Sequence, residues 1–444
     1  MLHKKIYLSE LLLALFINGT LFYFYFMFKM DIIPRTEITA TFYSISIIIA
    51  IIGLLLRHYK QHLVFMDIMI FLFLVWLAVS FLIFSSDNSA ALKKLLYGPV
   101  LFIAPFCAGR LFHNSSEWKR FADYVLILSK ILLVIFVIEM ITSHNQQVRL
   151  TVISFGNGTY ENPILVGATF SMAFLVLYNR LPATTSFWSV LHSFSWLLGF
   201  LFMMIKAASR GVLFSLILSI LLLHILRGIR LKQALGILAT VVFALLMFVN
   251  LPHDTINFYS STFNVLDNAD KFDSTNSASI RLALWKMALQ KISANPIVGS
   301  GFAQSDMSEN LGYTSDPIYP HNIFLEVAVE LGLIGVILFT IPLFIGIKRA
   351  YYSFQYVNPA KGIDVDLVLL LFVFSFIEAQ LSGFLTNQAQ LLFMMGISGS
   401  LYRWKVIPQH MPRKNERGMI FRTVASYYQH SNHTLMRNKE SYEN

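Results

Sequence analysis

Residues 322–347 read NIFLEVAVELGLIGVILFTIPLFIGI, a nearly continuous apolar run that is long enough to cross a lipid bilayer. Similar runs recur along most of the 444 residues, and the chain is 56% hydrophobic but only 13% charged. Such a composition excludes a soluble globular protein. The sequence therefore predicts an all-α membrane protein with about twelve transmembrane helices. The predicted spans are residues 8–28, 40–56, 64–84, 95–112, 121–142, 163–179, 187–206, 211–227, 233–250, 322–347, 365–385 and 389–404.

The cations between these spans indicate how the chain is oriented. Lys and Arg concentrate in one set of loops and in the tail after Trp404, whereas the opposite loops hold fewer of them. Because cytoplasmic loops retain Lys and Arg, this bias predicts that both termini lie in the cytoplasm. The net charge of +10 follows the same loops. Anionic membrane lipids are therefore the expected partner of that charge, and nucleic acid is not.

One predicted connection is much longer than the others and divides the chain. Residues 1–250 are predicted to form a membrane bundle of about nine helices, and residues 321–404 hold the last three. Between them, residues 251–320 form a large extracytoplasmic loop, and residues 405–444 form a basic cytoplasmic tail. Apolar residues recur at helical spacing from Ile280 until Asn295-Pro296. We therefore expect an amphipathic helix in the loop that lies on the membrane surface or caps the bundle.

Two cations stand on the side of the membrane where cations are normally avoided. Lys206 and Arg210 lie in the sequence IKAASRG, between two apolar spans and on the predicted extracytoplasmic side. If the first of these helices continues through them, the two side chains lie one turn apart on one face. The pair indicates that an anion is bound there. The alternative for Arg210 is an interfacial side chain that extends its charge to water.

Further polar residues are predicted on the same side. Arg281 and Trp285 lie one turn apart on the loop helix, and His321 precedes the span that begins at Asn322. Arginine donates two parallel hydrogen bonds to phosphate, and a histidine that titrates near neutrality can accept a proton from a hydroxyl group. The alternatives are a solvated helix face for Arg281 and a backbone-bonded helix start for His321. The hypothesis assigns catalysis to His321, Arg210 and Arg281, and substrate contacts to Lys206, Trp285 and Asn322.

Carboxylates also occur within the predicted spans, where a charge is costly. They are Glu139, Glu326, Glu330 and Glu378. Packing and hydrogen bonding between spans is the favoured interpretation, and a proton relay is the alternative. Glu326 and Glu330 are one turn apart, so they are expected to pair with cations, to stay protonated or to orient His321. Gly332 and Gly335, in the same span, are expected to allow close contacts between helices.

No metal ion or cofactor is predicted. Asp267, Asp270 and Asp273 recur at every third position, but no glycine and terminal glutamate follow at the offsets of a calcium loop. The sequence also has no Gly-rich phosphate loop, Ser-His-Asp signature or paired zinc ligands.

The motifs of residues 200–345 resemble those of a known family. RLALWKMALQKISANPIVGSGF (281–302) and HNIFLEVAVELGLIGVILF (321–339) resemble the O-antigen ligase and polymerase superfamily of bacterial envelopes. That superfamily shows an arginine-tryptophan helix, a P-x-x-G-x-G turn and an H-N-x-x-L-E start of a late span. Ser209-Arg210-Gly211 is similar to a further, weaker motif of the family.

The resemblance implies a GT-C-like glycosyltransferase of the bacterial inner membrane. Its donor would be a glycan on undecaprenyl pyrophosphate, and its reaction would take place on the periplasmic side without metal. By matching position, Arg210 and Arg281 would bind the pyrophosphate, and His321 would act as base or orient the acceptor hydroxyl. A ligase, with lipid A-core as acceptor, is favoured over a polymerase, with a lipid-linked repeat as acceptor. A protein-glycosylating oligosaccharyltransferase and a lipid-linked sugar transporter are the remaining alternatives, although the two related halves of many transporters are not seen.

Overall fold

The structure is a computed structural model of the protein. It describes residues 7–18, 48–49, 51–52, 63–85, 92, 94, 102–112, 114–142, 163–181, 186–207, 209–227, 277–307, 319–356, 364–381, 385 and 388–401. All regular secondary structure in these ranges is helical. The helices are α1 Leu8–Ile17, α2 Phe65–Phe84, α3 Ala104–Leu111, α4 Ser115–Thr142, α5 Pro163–Arg180, α6 Phe187–Lys206, α7 Arg210–Arg227, α8 Ser277–Ala294, α9 Ile323–Tyr356, α10 Val365–Leu381 and α11 Ala389–Ser400.

These helices are those of a membrane protein. Five of them, α2, α4, α6, α7 and α9, contain segments that are long and apolar enough to cross a bilayer. Large apolar side chains also point outward, including Leu82, Ile141 and Phe344, which are 77%, 76% and 65% exposed. Water would disfavour such a surface, whereas lipid does not. The all-helical membrane class is thus confirmed.

Parts of the sequence prediction lie outside the described residues. The predicted span 233–250 lies wholly outside them, and so do most of span 40–56, residues 251–276 of the large loop and the tail 405–444. The number of spans, the extent of the loop and the division into domains therefore stay predictions.

The bundle has two ends, which ion pairs and hydrogen bonds between helix termini define. The lower end holds the starts of α1, α2, α4 and α10 and the ends of α3, α5, α7 and α11. The upper end is opposite and holds the ends of α2, α6 and α10, the starts of α7 and α9, and α8. Between the ends, aromatic side chains such as Phe73, Phe121 and Phe339 are fully buried in one apolar core. Every residue that the sequence predicts for the site lies at the upper end.

Among the residues that the structure describes, four ion pairs join helices at the lower end. Each pair links an arginine on one helix to a carboxylate on another, so the pairs fix the helix termini relative to one another. They are Arg110–Asp67 at 2.6 Å, Arg120–Glu10 at 2.8 Å, Arg180–Asp123 at 2.7 Å and Arg227–Asp366.

At the upper end α9 is broken near Gly332, which has φ 62° and ψ −164°. The break leaves backbone groups without helical partners, and a turn that follows α8, residues 295–302, bonds to them. Its hydrogen bonds are Ser300 N–H to Val329 O (2.7 Å), Gly301 N–H to Glu330 O (3.1 Å) and Leu333 N–H to Pro296 O (2.9 Å). The indole N–H of Trp76, on α2, also donates to Leu331 O at 2.9 Å.

This break corrects two expectations. The sequence predicted a span over residues 322–347 and gave no indication of a break in it, and it predicted close helix contacts for Gly332. The close contact exists, but its partner is the backbone of Ile297 in the turn rather than another helix. Gly299, in the same turn, has φ 79°, and a Cβ there would lie 2.5 Å from the Glu330 carbonyl group. The glycines of PIVGSGF are therefore needed for this docking, because other residues would clash and rarely adopt such a φ.

The loop helix predicted from the sequence is α8, which starts at Ser277 and ends at Ala294. Its inner face caps the bundle, because Leu284 and Ala288 are buried against Val329 of α9. Its outer face carries Leu282 and Leu289, which are 41% and 59% exposed. The helix therefore caps the bundle with one face, while the other face exposes these leucines together with Lys286. Its placement on the membrane surface stays a prediction.

Candidate active site at the start of α9

His321 and its neighbours form the centre of the candidate site. His321 has φ 54°, a left-handed conformation that is uncommon for any residue with a side chain, and its ring lies 4.6 Å from that of Tyr319. Strained backbone of this kind is concentrated at functional sites. The indole N–H of Trp285 donates to Pro320 O at 2.9 Å, which ties α8 to the segment that carries His321.

Asn322 lies directly before α9, caps its start and binds it to α10. Its side-chain oxygen accepts hydrogen bonds from the backbone N–H groups of Phe324 and Leu325 at 3.0 and 3.1 Å, as a helix N-cap does. Its side-chain N–H donates to Gln380 O at 3.3 Å. The amide is thus bonded to the protein's own backbone, a geometry that suits positioning of His321 better than the predicted contact with substrate.

Arg281 joins this group through its charge. It lies one turn before Trp285 on α8, is half-buried, and its positive charge acts on the carboxyl group of Glu378 near the end of α10. Arg281 is thus partly buried on α8, and its charge lies within electrostatic reach of a carboxyl group near the end of α10. The structure brings Arg281, Trp285, His321 and Asn322 together.

Lys206 and Arg210 lie at the same end of the bundle but on two other helices, α6 and α7. The lower end of α7 is fixed to the start of α10 by Arg227–Asp366, and these antiparallel helices have nearly equal lengths. Arg210, at the start of α7, therefore lies at the level of the end of α10. A shared helical face was expected only if one helix continued through both cations, and this condition is not met, because α6 ends at Lys206 and α7 begins at Arg210. They flank a short turn between these two helices.

Sequence reasoning missed Lys94. Its ammonium lies 2.6 Å from Oε1 of Glu326 and 2.6 Å from Oε1 of Glu330, whose side chains are 1% and 0% exposed. Pairing with a cation, one of the three roles expected for these glutamates, is therefore confirmed. The signal was available, since Lys93-Lys94 also lies in a loop predicted to be extracytoplasmic. Like Lys206 and Arg210, Lys94 is a cation on the side of the membrane where cations are normally avoided.

A second lysine secures the turn that follows α8. Lys291 Nζ donates to Gln304 O at 3.0 Å and to Asp306 O at 2.8 Å. Burial lowers the pKa of Lys291, and the nearby charges of Asp306 and Glu330 oppose that shift. The lysine thus clamps the residues on both sides of Ser305.

The described residues do not offer a metal site. Among them, no three His, Cys, Asp or Glu side chains lie close enough together to hold a metal ion. Asp267, Asp270 and Asp273 lie outside the described residues, and the side chain of Glu139 does too.

The upper end therefore combines two kinds of chemistry. Arginine side chains suited to a phosphate or diphosphate occur on α7 and α8, at the same end of the bundle as the end of α10. An imidazole lies at the start of α9, next to the arginine-bearing α8. Such an arrangement can hold an anionic leaving group and receive a proton from an attacking hydroxyl.

Comparison with known proteins agrees with this picture. Residues 194–340 match the family model described as O-Antigen ligase. The matched segment includes all six residues predicted for the site, Lys206, Arg210, Arg281, Trp285, His321 and Asn322. The resemblance to an O-antigen ligase-like family, stated above from the motifs, is thereby confirmed.

Several Rickettsia proteins, whose names class them provisionally as polysaccharide ligases, are similar to part of this chain. The protein of Rickettsia felis is 39% identical over an aligned stretch of 84 residues, which covers 16% of this chain and 21% of the relative. Those of Rickettsia conorii and Rickettsia typhi are 38% and 37% identical over 84 and 73 residues. These cover 16% and 14% of this chain, and 20% and 18% of the relatives. The matched stretch thus spans about a fifth of the length of these curated relatives.

Proposed function

We propose that this O-antigen ligase-like membrane protein transfers a polysaccharide from undecaprenyl pyrophosphate to an acceptor hydroxyl on the periplasmic side of the inner membrane. The most suitable acceptor is a sugar of lipid A-core. The observation that carries the proposal is the grouping of Arg281, Trp285 and His321 at the start of α9, within the segment that matches the ligase family.

The arginines would bind the donor. Arg281 and Arg210 supply guanidinium groups that match the oxygens of a diphosphate and remain charged at any physiological pH. Lys206 adds a third positive charge beside Arg210, and the Trp285 ring offers a surface for a sugar or for the lipid-linked end of the donor. Their charge would stabilise the negative charge that grows on the departing diphosphate.

His321 would accept the proton of the acceptor hydroxyl. The acceptor oxygen forms a bond to the anomeric carbon of the donor sugar, while the bond from that carbon to the diphosphate oxygen breaks. The diphosphate leaves with the bonding electron pair, and the hydroxyl proton passes to the imidazole of His321 and then to water. No other reactant is needed. As the resemblance to the family implies, the reaction is proposed to proceed without metal or cofactor, so transfer should survive an excess of chelator.

A ligase is favoured over a polymerase because the family model and the Rickettsia relatives carry ligase names. The two reactions share a donor and differ in the acceptor. Deletion of the gene followed by gel analysis of envelope polysaccharide distinguishes them. Full-length chains that remain on the lipid carrier indicate a ligase, and single repeats on the core indicate a polymerase. Donor trapped on the cytoplasmic leaflet would instead indicate a transporter and refute the proposal.

A further inference from the structure

We propose that Lys94 is a positioning residue for the active site described above, because its ammonium fixes the start of α9 relative to two other segments. These segments are the turn after α8 and the connection between α10 and α11. The catalytic consequence of this role rests on the proposed function. The structural consequence, that the two segments loosen without Lys94, does not.

The two glutamates that hold Lys94 each bind another part of the chain. Glu326 Oε2 accepts a hydrogen bond from the backbone N–H of Leu385 at 2.6 Å, between α10 and α11. Glu330 Oε1 accepts one from the hydroxyl of Ser305 at 2.6 Å, in the segment that follows α8. One ammonium therefore completes a network that joins four separate stretches of the chain.

The network depends on the charge of Lys94. Both carboxylates are almost completely buried, and Lys94 itself is 16% exposed and lies over the Phe302 ring at 5.3 Å. Among the described residues, Oε2 of Glu330 has no hydrogen-bond partner. Without the ammonium, two buried carboxylates one turn apart would have to take up protons or admit water. Either change weakens the bonds to Leu385 and Ser305.

The network also lies directly behind the proposed chemistry. Glu326 follows Asn322 by one turn, and the Asn322 side chain caps the helix next to His321. Ser305 anchors the residues that directly follow the turn 295–302, and this turn supports the break in α9. The segment before His321 is bonded to Trp285 of α8. A shift of the start of α9 relative to α8 would therefore separate His321 from Arg281. Displacements of about 1 Å can cost roughly 10²-fold in rate.

The test compares Lys94→Met with Arg120→Met. Arg120 pairs with Glu10, which is also fully buried, but this pair lies at the lower end and outside the proposed site. Both proteins are purified in full length, and their transfer kinetics are measured together with hydrogen exchange of peptides that cover residues 296–305 and Leu385. We expect Lys94→Met to raise exchange in both peptides and to lower kcat about 10²-fold, with a smaller change in the donor KM. Arg120→Met should change neither.

Two further variants keep the test decisive. Lys94→Arg can still donate to both carboxylates, so it should restore protection from exchange and most of kcat. If Lys94→Met does not fold, Lys94→Gln is used, because it removes the positive charge and keeps a side chain that can donate to one carboxylate. It should raise exchange in residues 296–305 in the same way, though less.

Each result has a separate meaning. Unchanged exchange in Lys94→Met overturns the positioning role, and so does raised exchange with unchanged kcat, which leaves the proposed function standing. A wild-type protein that transfers no glycan refutes the proposed function and the catalytic part of this inference together.

Discussion

At the lower end of the bundle, four arginines each pair with one carboxylate of a neighbouring helix, whereas at the upper end one lysine is shared by two carboxylates. The lower pairs join the ends of continuous helices that already pack against one another in the apolar core. The upper cluster lies beside a broken helix and behind the residues proposed to act on substrate. The ion pairs of the lower end thus hold helices together, whereas the Lys94 cluster of the upper end maintains the shape of the proposed site.

The difference also appears in the backbone. Gly299, Gly301, Gly332, Ala303 and His321 have positive φ, and all five lie at the upper end. The three glycines adopt such a φ readily, but for Ala303 and His321 it costs free energy and persists only where the surrounding contacts enforce it. The contacts that do so are the backbone bonds of the turn, the Lys94 cluster and the cap at Asn322. We therefore expect substitutions at the upper end to change activity, and those at the lower end to change stability alone.

The largest effect is expected for His321→Asn. Asparagine tolerates the left-handed backbone of His321 but cannot act as a base near neutrality, so the substitution removes the proton acceptor without adding strain. We predict a fall in kcat of about 10²–10⁴-fold with the donor KM within a few-fold of wild type. Steady-state transfer assays with varied donor measure both quantities. Loss of donor binding with normal turnover at saturation would refute the role of base.

The next largest effect is expected for Arg281→Ala. Removal of one charged partner of a bound diphosphate costs roughly 2–5 kcal/mol, which corresponds to a loss of about 30-fold to several thousand-fold in kcat/KM. Lys286→Ala is the matched control, because Lys286 is an exposed cation on the same helix. It should leave transfer unchanged. Equal losses in the two variants would show that only the general charge of α8 matters, and near-normal transfer in Arg281→Ala would refute the diphosphate contact.

The sequence predicted the parts of the upper end that are local in the chain. The bounds of α8 followed from Ile280 and Asn295-Pro296, and the glycines of the turn from PIVGSGF. The positions of Arg281 and His321 followed from helical spacing and from the resemblance to a family. These features depend on neighbouring residues, so one stretch of sequence is sufficient to predict them.

The features that the sequence did not predict depend on residues far apart. Lys94 meets Glu326 across more than two hundred positions, and nothing in either segment specifies the other. The break at Gly332 was missed because an apolar run with a glycine looks the same whether the helix continues or stops. The turn around Gly299, together with the indole of Trp76 on α2, bonds to the backbone groups at the break and makes it favourable.

Gly299→Ala tests whether the broken helix depends on that turn. The new Cβ would lie 2.5 Å from the Glu330 carbonyl group, and alanine at φ 79° is strained. Such strain costs of order 1–3 kcal/mol before the clash is counted, so we predict a fall in Tm of several degrees together with reduced transfer. Thermal unfolding in detergent measures the first quantity. In the control Gly199→Ala, the nearest atom is a methyl group of Leu133, which can rotate away. A Tm loss in Gly199→Ala as large as that in Gly299→Ala would contradict the special role of the turn.

The smallest effect on activity is expected for Arg120→Met, at the lower end. This substitution leaves the carboxylate of Glu10, which is 0% exposed, without the guanidinium that now lies 2.8 Å away. A broken buried pair costs up to about 3–5 kcal/mol, and the cost should fall below that range because Arg120 is itself a quarter exposed. We therefore predict a lower Tm with unchanged kcat and donor KM for the folded fraction. Since α1 and α4 do not contribute to the proposed site, a fall in kcat would mean that strain passes from one end of the bundle to the other. In that case stability and function could not be assigned to separate ends.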